Sequence, residues 1–188
     1  MRRTLWIGTM FSAAAFAGQT MNVAVCNVGQ IPAAKVEHAE AEAAYVFQGM
    51  DIEIRWMECD AADKGVRPDF IVRVQMGGKA VKAGPVSLEA MGRAFMDEKG
   101  YGFMADAYFG AIRDLTVTYP FASGDQLLGY VISHELGHLL IGAGHRPNGI
   151  MRASLGKSEL EELNRRHLKF NEWEQGMIRK SLAARKAK

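Results

Sequence analysis

The chain has 188 residues, and its hydrophobic fraction of 48% and charged fraction of 23% are those of an ordinary globular protein. That length suits one domain with a hydrophobic core and argues against a disordered chain. The formal net charge of +2 is too small to indicate nucleic acid or an anionic membrane surface as a partner.

The first residues have the layout of an export signal. Arg2 and Arg3 precede a stretch without charge that closes on Ala15-Phe16-Ala17, a small-residue cleavage pattern. We therefore expect residues 1–19 to be a signal peptide, residues 20–188 to form a single domain, and the mature protein to be secreted or periplasmic. The stretch is too short and too polar to span a membrane, and no other candidate span follows it.

The next segment has the pattern of a strand, a helix and a second strand. Residues 21–28 form an apolar run, Pro32 opens a helix that Gly49 ends, and residues 51–57 alternate between apolar and polar. This order predicts a parallel pair of strands joined by a crossover helix.

The middle of the chain is less regular. Residues 68–76 alternate and predict a third strand. Residues 77–100 are rich in glycine and are expected to form a surface loop. Residues 103–112 resemble a further strand at a sheet edge, because alanine and glycine dilute the pattern.

A central helix is predicted next. Ser123 and Gln126 form a capping box, and residues 127–141 are apolar nearly all round, which is typical of a buried helix. Gly142 and Gly144 are expected to end this helix, since glycine adopts left-handed backbone conformations without steric cost.

Two further capping boxes, Ser158 with Glu161 and Asn171 with Glu174, predict C-terminal helices. Together the elements predict an α/β fold of the α+β kind, with a mixed sheet, a central helix and C-terminal helices packed behind it.

The two cysteines leave two possibilities open. Cys26 and Cys59 form a disulfide in an oxidising compartment or remain buried thiols in a reducing one. They make no Cys-x-x-Cys pair, so a thiolate zinc site is not expected.

The central helix carries a pattern typical of metal sites. His134 and His138 are four residues apart, so both imidazoles project from one helix face and can bind one ion. Glu135 would then lie beside the metal, where a general base for a metal-activated water belongs. His145 follows the glycine turn, where the chain can fold back and offer a third nitrogen. His38 and His167 lie among polar residues and are expected to be solvated.

These residues resemble a known family. The segment His-Glu-Leu-Gly-His-Leu-Leu-Ile-Gly-Ala-Gly-His, followed by Gly-Ile-Met-Arg, is similar to the zinc-binding segment of the metzincin clan, particularly its matrixin-like members. It also resembles a group of exported bacterial proteins that share a closely similar segment. The resemblance implies a zincin-like catalytic domain, Zn²⁺ bound by His134, His138 and His145, Glu135 as the base, and Met151 packed beneath the metal.

The third ligand has a competitor. The clan places its third histidine six residues after the second, whereas His145 lies seven after His138, and the extra residue adds about 1.5 Å of rise and 100° of rotation to a helix. In the thermolysin-like pattern the third ligand is instead a glutamate on a following helix. Glu159, Glu161 and Glu162 lie within that range, so the choice stays open.

The sequence therefore predicts a zinc-dependent metallopeptidase, in the form of an endopeptidase, acting on a peptide or protein substrate. The alternative is a non-catalytic zinc domain, or a zinc hydrolase of a non-peptide substrate. Asp106, Tyr108 and Arg152 are further polar residues that could contact substrate, but no pattern singles them out. The cleavage preference and the oligomeric state are not indicated.

Overall fold

The computed structural model describes residues 18–60, 65–78, 86–87 and 91–187. The cleavage pattern at residues 15–17 lies outside the described residues. Within the part of the chain that the structure describes, no helix is both long enough and apolar enough to cross a bilayer.

A five-stranded sheet has the strand order β2-β1-β3-β6-β5. Strand β1 pairs in parallel with β2 and β3, β3 pairs in parallel with β6, and β5 runs antiparallel along β6. The expected mixed sheet and the expected parallel β1–β2 pair are therefore confirmed. The strands are β1 (Gln19–Asn27), β2 (Ile52–Glu58), β3 (Phe70–Gln75), β4 (Val86–Ser87), β5 (Gly92–Met96), β6 (Gly102–Tyr108) and β7 (Ser154–Leu155), with β4 and β7 forming a separate antiparallel pair.

The described helices are α1 (Ala33–Gln48), α2 (Phe109–Thr118), α3 (Gly124–Ile141), α4 (Lys157–Asn164) and α5 (Glu172–Lys186). Helix α3 packs against α1, α5 and the β5–β6 hairpin, and all but four of its residues are buried. A Cβ at Gly129 would lie 2.6 Å from the Ala39 carbonyl oxygen, so glycine allows α1 and α3 to cross closely. The predicted central helix is thus confirmed.

The expectation of a surface loop over residues 77–100 was wrong. Strands β4 and β5 lie within this stretch, and β5 forms the edge of the main sheet. Glycine and alanine in β5 weaken the apolar alternation that would reveal a strand. The hydrogen bonds of β6, rather than side-chain pattern, fix β5 in place.

The edge strand expected over residues 103–112 was only partly right. The strand ends at Tyr108, the chain turns directly into α2, and β6 lies inside the sheet between β3 and β5. Gly110, in the first turn of α2, passes so close to the Gly77 carbonyl oxygen that an added Cβ would lie 3.0 Å from it. Only glycine fits this close approach of α2 to the segment that follows β3.

One of the three predicted capping boxes is complete: Asn171 and Glu174 exchange two hydrogen bonds. At the start of α3 Ser123 is the N-cap and accepts a hydrogen bond from Gln126 N at 3.4 Å, but its own N–H donates to Asn164 Oδ1, so the reciprocal bond of a capping box is replaced. The Ser158–Glu161 box was wrong, because α4 begins two residues earlier than predicted.

The N-cap residue of α4 is Gly156, whose N–H donates to the Glu159 carboxylate at 2.7 Å. Glu159 also forms an ion pair of 3.1 Å with Arg152, which lies before strand β7 whereas Glu159 lies after it. The arginine therefore favours the earlier of the two possible capping glutamates.

Cys26 and Cys59 form a disulfide. The bond links the C-terminal ends of the neighbouring parallel strands β1 and β2, beyond which the chain continues into separate segments. This resolves the alternative that the sequence leaves open, and it is compatible with an extracellular protein.

Candidate metal centre

His134 and His138 lie one turn apart on the buried face of α3. Both side chains are buried, and their Nε2 atoms are 3.0 Å apart. The rings are nearly perpendicular, with an interplanar angle of 85°, so each nitrogen is directed at the same point. The helix spacing alone produces this convergence.

The other nitrogen of each ring is held by a backbone carbonyl. His134 Nδ1 donates to Ile150 O at 2.7 Å, and His138 Nδ1 donates to Gly142 O at 3.1 Å. A carbonyl oxygen only accepts, so in the neutral rings each Nδ1 carries the hydrogen and each Nε2 presents a lone pair. Two lone pairs facing each other repel, and a cation between them removes that repulsion. The donor set therefore fits a metal ion.

The glycine turn brings His145 to the same point. Gly142 and Gly144 have φ values of 87° and 110°, which end α3 and fold the chain back over it. The His145 ring lies 5.3 Å from that of His134 and 5.1 Å from that of His138, measured between centroids. One ligand atom from each of the three histidines lies within 4.8 Å of the others. The turn thus accommodates the extra residue in the spacing.

Burial keeps the first of these rings neutral. Burial, together with the charges of His138 and His145, lowers the pKa of His134 from 6.5 to about 3, against the opposing effect of its hydrogen bond to Ile150. A neutral imidazole is the form that binds a metal. Three nitrogen ligands with an open fourth position are the arrangement of catalytic zinc, so Zn²⁺ is the ion that this cluster suits.

A cleft of about 760 Å³ opens beside the cluster. We call its first side the helix wall, formed by His134, Glu135, His138 and the 143–145 turn. We call its second side the strand wall, formed by Gly78, the β5 residues Gly92, Arg93, Ala94 and Met96, and Tyr108 at the end of β6.

Glu135 lies between the two walls. It is buried, yet it lines the cleft together with its neighbour His134. A Cβ at Gly92 would come within 2.9 Å of the Glu135 Cγ and Cδ atoms, so β5 passes directly over this carboxylate. The absence of a side chain at Gly92 leaves the space that the Glu135 carboxylate occupies.

Met151 packs against α3 at Gly137 and is not among the described residues that line the cleft. It is fully buried, and a Cβ at Gly137 would collide with its sulfur and lie 3.0 Å from Phe170. The preceding turn is fixed by Tyr130, whose hydroxyl donates to Ile150 O at 2.9 Å. Ile150 thus accepts hydrogen bonds from both Tyr130 and His134, which ties the segment that precedes Met151 to the first histidine.

The competing glutamates lie elsewhere. Burial opposes ionisation of Glu159, but hydrogen bonds from Gly156 and Ser158 and the charge of Arg152 together lower its pKa. Glu159 is therefore a capping and ion-pairing carboxylate. Among the described residues, neither it nor Glu161 or Glu162 joins a metal-binding cluster.

Of the three further polar residues Asp106, Tyr108 and Arg152, Tyr108 is the one that lines the cleft. Arg152 pairs with Glu159, and Asp106 is held by Arg73 through two hydrogen bonds of 2.6 and 3.0 Å. Tyr108 lines the cleft, and its hydroxyl donates to Asp106 at 3.4 Å.

Burial raises the pKa of Tyr108, and the negative charges of Asp106 and Glu135 add to that effect while Arg93 opposes it. Tyr108 therefore remains a neutral hydroxyl group in the cleft.

The sequence reasoning missed Gly92 and Arg93. Both lie in the stretch expected to be a loop, and no pattern in the sequence places them near Glu135. The short segment Gly-Arg-Ala-Phe-Met, read as an edge strand, was the one available signal.

No protein-family model and no curated protein matches the sequence. Among solved structures, the chain is similar to an archaemetzincin from Methanopyrus kandleri, with a TM-score of 0.51 and 16% identity over 88% of this chain and 96% of that chain. It is also similar to metalloproteinase-II from Bacteroides fragilis, with a TM-score of 0.54 and 11% identity, over 88% of this chain and 54% of that chain, which is about half of its length. These similarities concern the fold alone, and they confirm the predicted zincin-like fold.

Proposed function

We propose that this protein is a zinc-dependent metallopeptidase of the metzincin type, with His134, His138 and His145 as metal ligands. The observation that carries the proposal is the convergence of three imidazole nitrogens beside Glu135 in a cleft. Met151 beneath α3 supports the matrixin-like resemblance, since its sulfur packs against Gly137 between the two helical histidines.

When bound, zinc supplies a water whose pKa is lowered to about 7 and polarises the scissile carbonyl. Glu135 is the general base in this proposal: its carboxylate accepts the proton of the attacking water and returns it to the leaving amine. Gly92 keeps space over that carboxylate, and the Ile150 and Gly142 carbonyls fix the orientation of the two helical histidines.

The position of the cluster favours catalysis over a structural role. A structural zinc site is closed by a fourth protein ligand, whereas this cluster consists of three histidines and lines a cleft. A structural zinc site also does not require a carboxylate beside the metal, whereas here Gly92 of β5 leaves space for the side chain of Glu135.

We propose cleavage within the peptide chain. An aminopeptidase needs a carboxylate to bind the free amino group of its substrate. Among the described residues that line the cleft, the carboxylate is that of Glu135, which the mechanism already uses. Residues 1–19 as a signal peptide, together with the disulfide, support export to an oxidising compartment.

The test is a peptide-library digest with zinc-loaded wild type and Glu135→Gln. We expect internal cleavage by wild type and a loss of about 10²- to 10⁴-fold in the variant, since that is what a general base contributes. Glu162→Gln, the same chemical change on the exposed surface of α4, is the control and should retain full activity. Full activity in Glu135→Gln, or no zinc in the purified protein, would overturn the proposal.

A further inference from the structure

The strand wall carries one charged side chain among the described residues that line the cleft. That side chain is Arg93, and the other charged lining residue, Glu135, belongs to the helix wall. The remaining strand-wall residues are glycines, Ala94, Met96 and the neutral Tyr108. Among the described lining residues, Arg93 is therefore the positively charged group of the strand wall.

Arg93 has no carboxylate partner among the described residues. Its cross-strand neighbour is Asp106, but both oxygens of that carboxylate accept hydrogen bonds from Arg73. The Arg93 guanidinium instead lies 5.3 Å from the centre of the Phe95 ring. Packing on the ring orients the guanidinium while leaving its N–H groups unused by an ion pair.

Arg93 is also close to the site of the proposed reaction. It follows Gly92, which lies against Glu135, but successive strand residues face opposite sides of the sheet, so the Arg93 side chain does not share the face of Gly92. The side chain projects to the face of the sheet that Asp106 and Tyr108 occupy, and Tyr108 lines the cleft as well. A substrate in the cleft would therefore pass within reach of a solvent-exposed guanidinium.

We propose that Arg93 determines specificity by binding a carboxylate group of the substrate, so that the cleft selects peptides with an acidic group near the bond that is cleaved. In cleavage within the chain this carboxylate belongs to an Asp or Glu side chain; a free C-terminus bound by Arg93 would instead make the enzyme a carboxypeptidase. This inference rests on the proposed peptidase function and names its substrate class.

The guanidinium fork matches a carboxylate with two parallel hydrogen bonds, which a lysine ammonium does not. Because Arg93 is exposed, solvent screening limits the effect, and we expect a preference of about five- to tenfold for the acidic peptide. The preference should weaken at high salt, where exposed charges are screened.

The test measures peptide binding and cleavage separately. Fluorescence anisotropy with zinc-loaded Glu135→Gln, in which cleavage should be at least about a hundredfold slower, reports the affinity for matched peptides. These peptides carry Glu or Gln at each of three positions on either side of the cleaved bond. A second pair with a free or an amidated C-terminus distinguishes the two sources of the carboxylate. The same peptides are then digested by enzyme that retains Glu135.

Both measurements are repeated with Arg93→Gln and with Arg55→Gln. Arg55 is an exposed arginine on β2, at the opposite edge of the sheet, and its loss changes the net charge equally. We expect the preference to vanish in Arg93→Gln and to persist in Arg55→Gln.

An equal preference in Arg93→Gln, or none in the protein with Arg93 intact, would overturn the inference. If no peptide is cleaved but the Arg93-dependent binding preference remains, the peptidase function fails while the carboxylate site stands.

Discussion

The two walls of the cleft are built in different ways. The helix wall is local: its histidines and Glu135 come from one helix and the glycine turn that ends it. The strand wall is assembled from the end of β3, the edge strand β5 and the end of β6, which are joined by sheet pairing. The helix wall holds the metal-binding groups, and the strand wall limits the space and charge around them.

This difference separates chemistry from selection. A change in the helix wall should alter metal binding or the reaction itself. A change in the strand wall should leave metal binding intact and alter the position of Glu135 or the choice of substrate. The following predictions test that separation.

Zinc removal should affect mainly the helix wall. Zinc that binds the folded state alone stabilises it by about 4 kcal/mol when free zinc is about 1,000 times Kd. We expect added zinc to raise the unfolding free energy and to slow amide hydrogen exchange in residues 142–150, while exchange in β5 and β6 changes little. Equal protection of both walls would contradict the separation.

Gly92→Ala should impair the reaction without affecting the metal. The new Cβ would lie 2.9 Å from the Glu135 carboxylate carbon and displace it. A displacement of about 1 Å costs about a hundredfold in rate, so kcat should fall by that order while zinc affinity is unchanged.

Gly77→Ala is the matched control for this change, because its Cβ makes only an ordinary contact of 3.4 Å with the Tyr108 ring. A wild-type kcat in Gly92→Ala would show that the strand does not restrict the base.

Gly137→Ala should destabilise the packing of α3 against Met151. Its Cβ would collide with the Met151 sulfur, and overpacking of this kind costs about 1–3 kcal/mol. Chemical denaturation should show the loss. Gly176→Ala in α5 has nothing within 4 Å of its Cβ and should instead stabilise by about 0.5–1 kcal/mol. If Gly137→Ala and Gly176→Ala changed the unfolding free energy alike, tight packing of Met151 against α3 would be refuted.

Arg185→Met should loosen the contact between α3 and β6, the elements that carry parts of the two walls. The Arg185 guanidinium donates to Leu139 O of α3 at 2.7 Å and to Gly102 O of β6 at 3.2 Å. Methionine keeps most of the stem but loses these bonds, which should cost about 1.5 kcal/mol. Lys180→Met, on the exposed side of α5, is the control for thermal unfolding. An unchanged stability in Arg185→Met would exclude this bridging role.

The helix wall could be predicted from sequence because its geometry is local. A spacing of four residues places His134 and His138 on one face of any helix, and the buried pattern of α3 identified that helix. Gly142 and Gly144 indicated a turn sharp enough to return His145. No long-range contact was needed for these inferences.

The strand wall could not be predicted for the opposite reason. Gly92 lies near Glu135 only because β5 pairs with β6 and β6 packs against α3, and neither contact leaves a periodic signal in five residues. The wrong prediction of the α4 N-cap, Ser158 instead of Gly156, also results from a tertiary contact. Glu159 and Glu161 were both possible caps, and the ion pair with Arg152, set by the tertiary fold, favours Glu159.

Zinc affinity in His145→Ala and Glu159→Ala, measured by chelator competition against wild type, tests the central claim most directly. Removal of a residue that merely supports a metal ligand lowers metal affinity by about 10- to 100-fold. If His145 is itself a ligand, His145→Ala should lower zinc affinity by more than that. Glu159→Ala, which breaks a cap and an ion pair, should bind zinc as wild type does. Unchanged affinity in His145→Ala with a loss in Glu159→Ala would contradict the account and assign the third ligand to the glutamate.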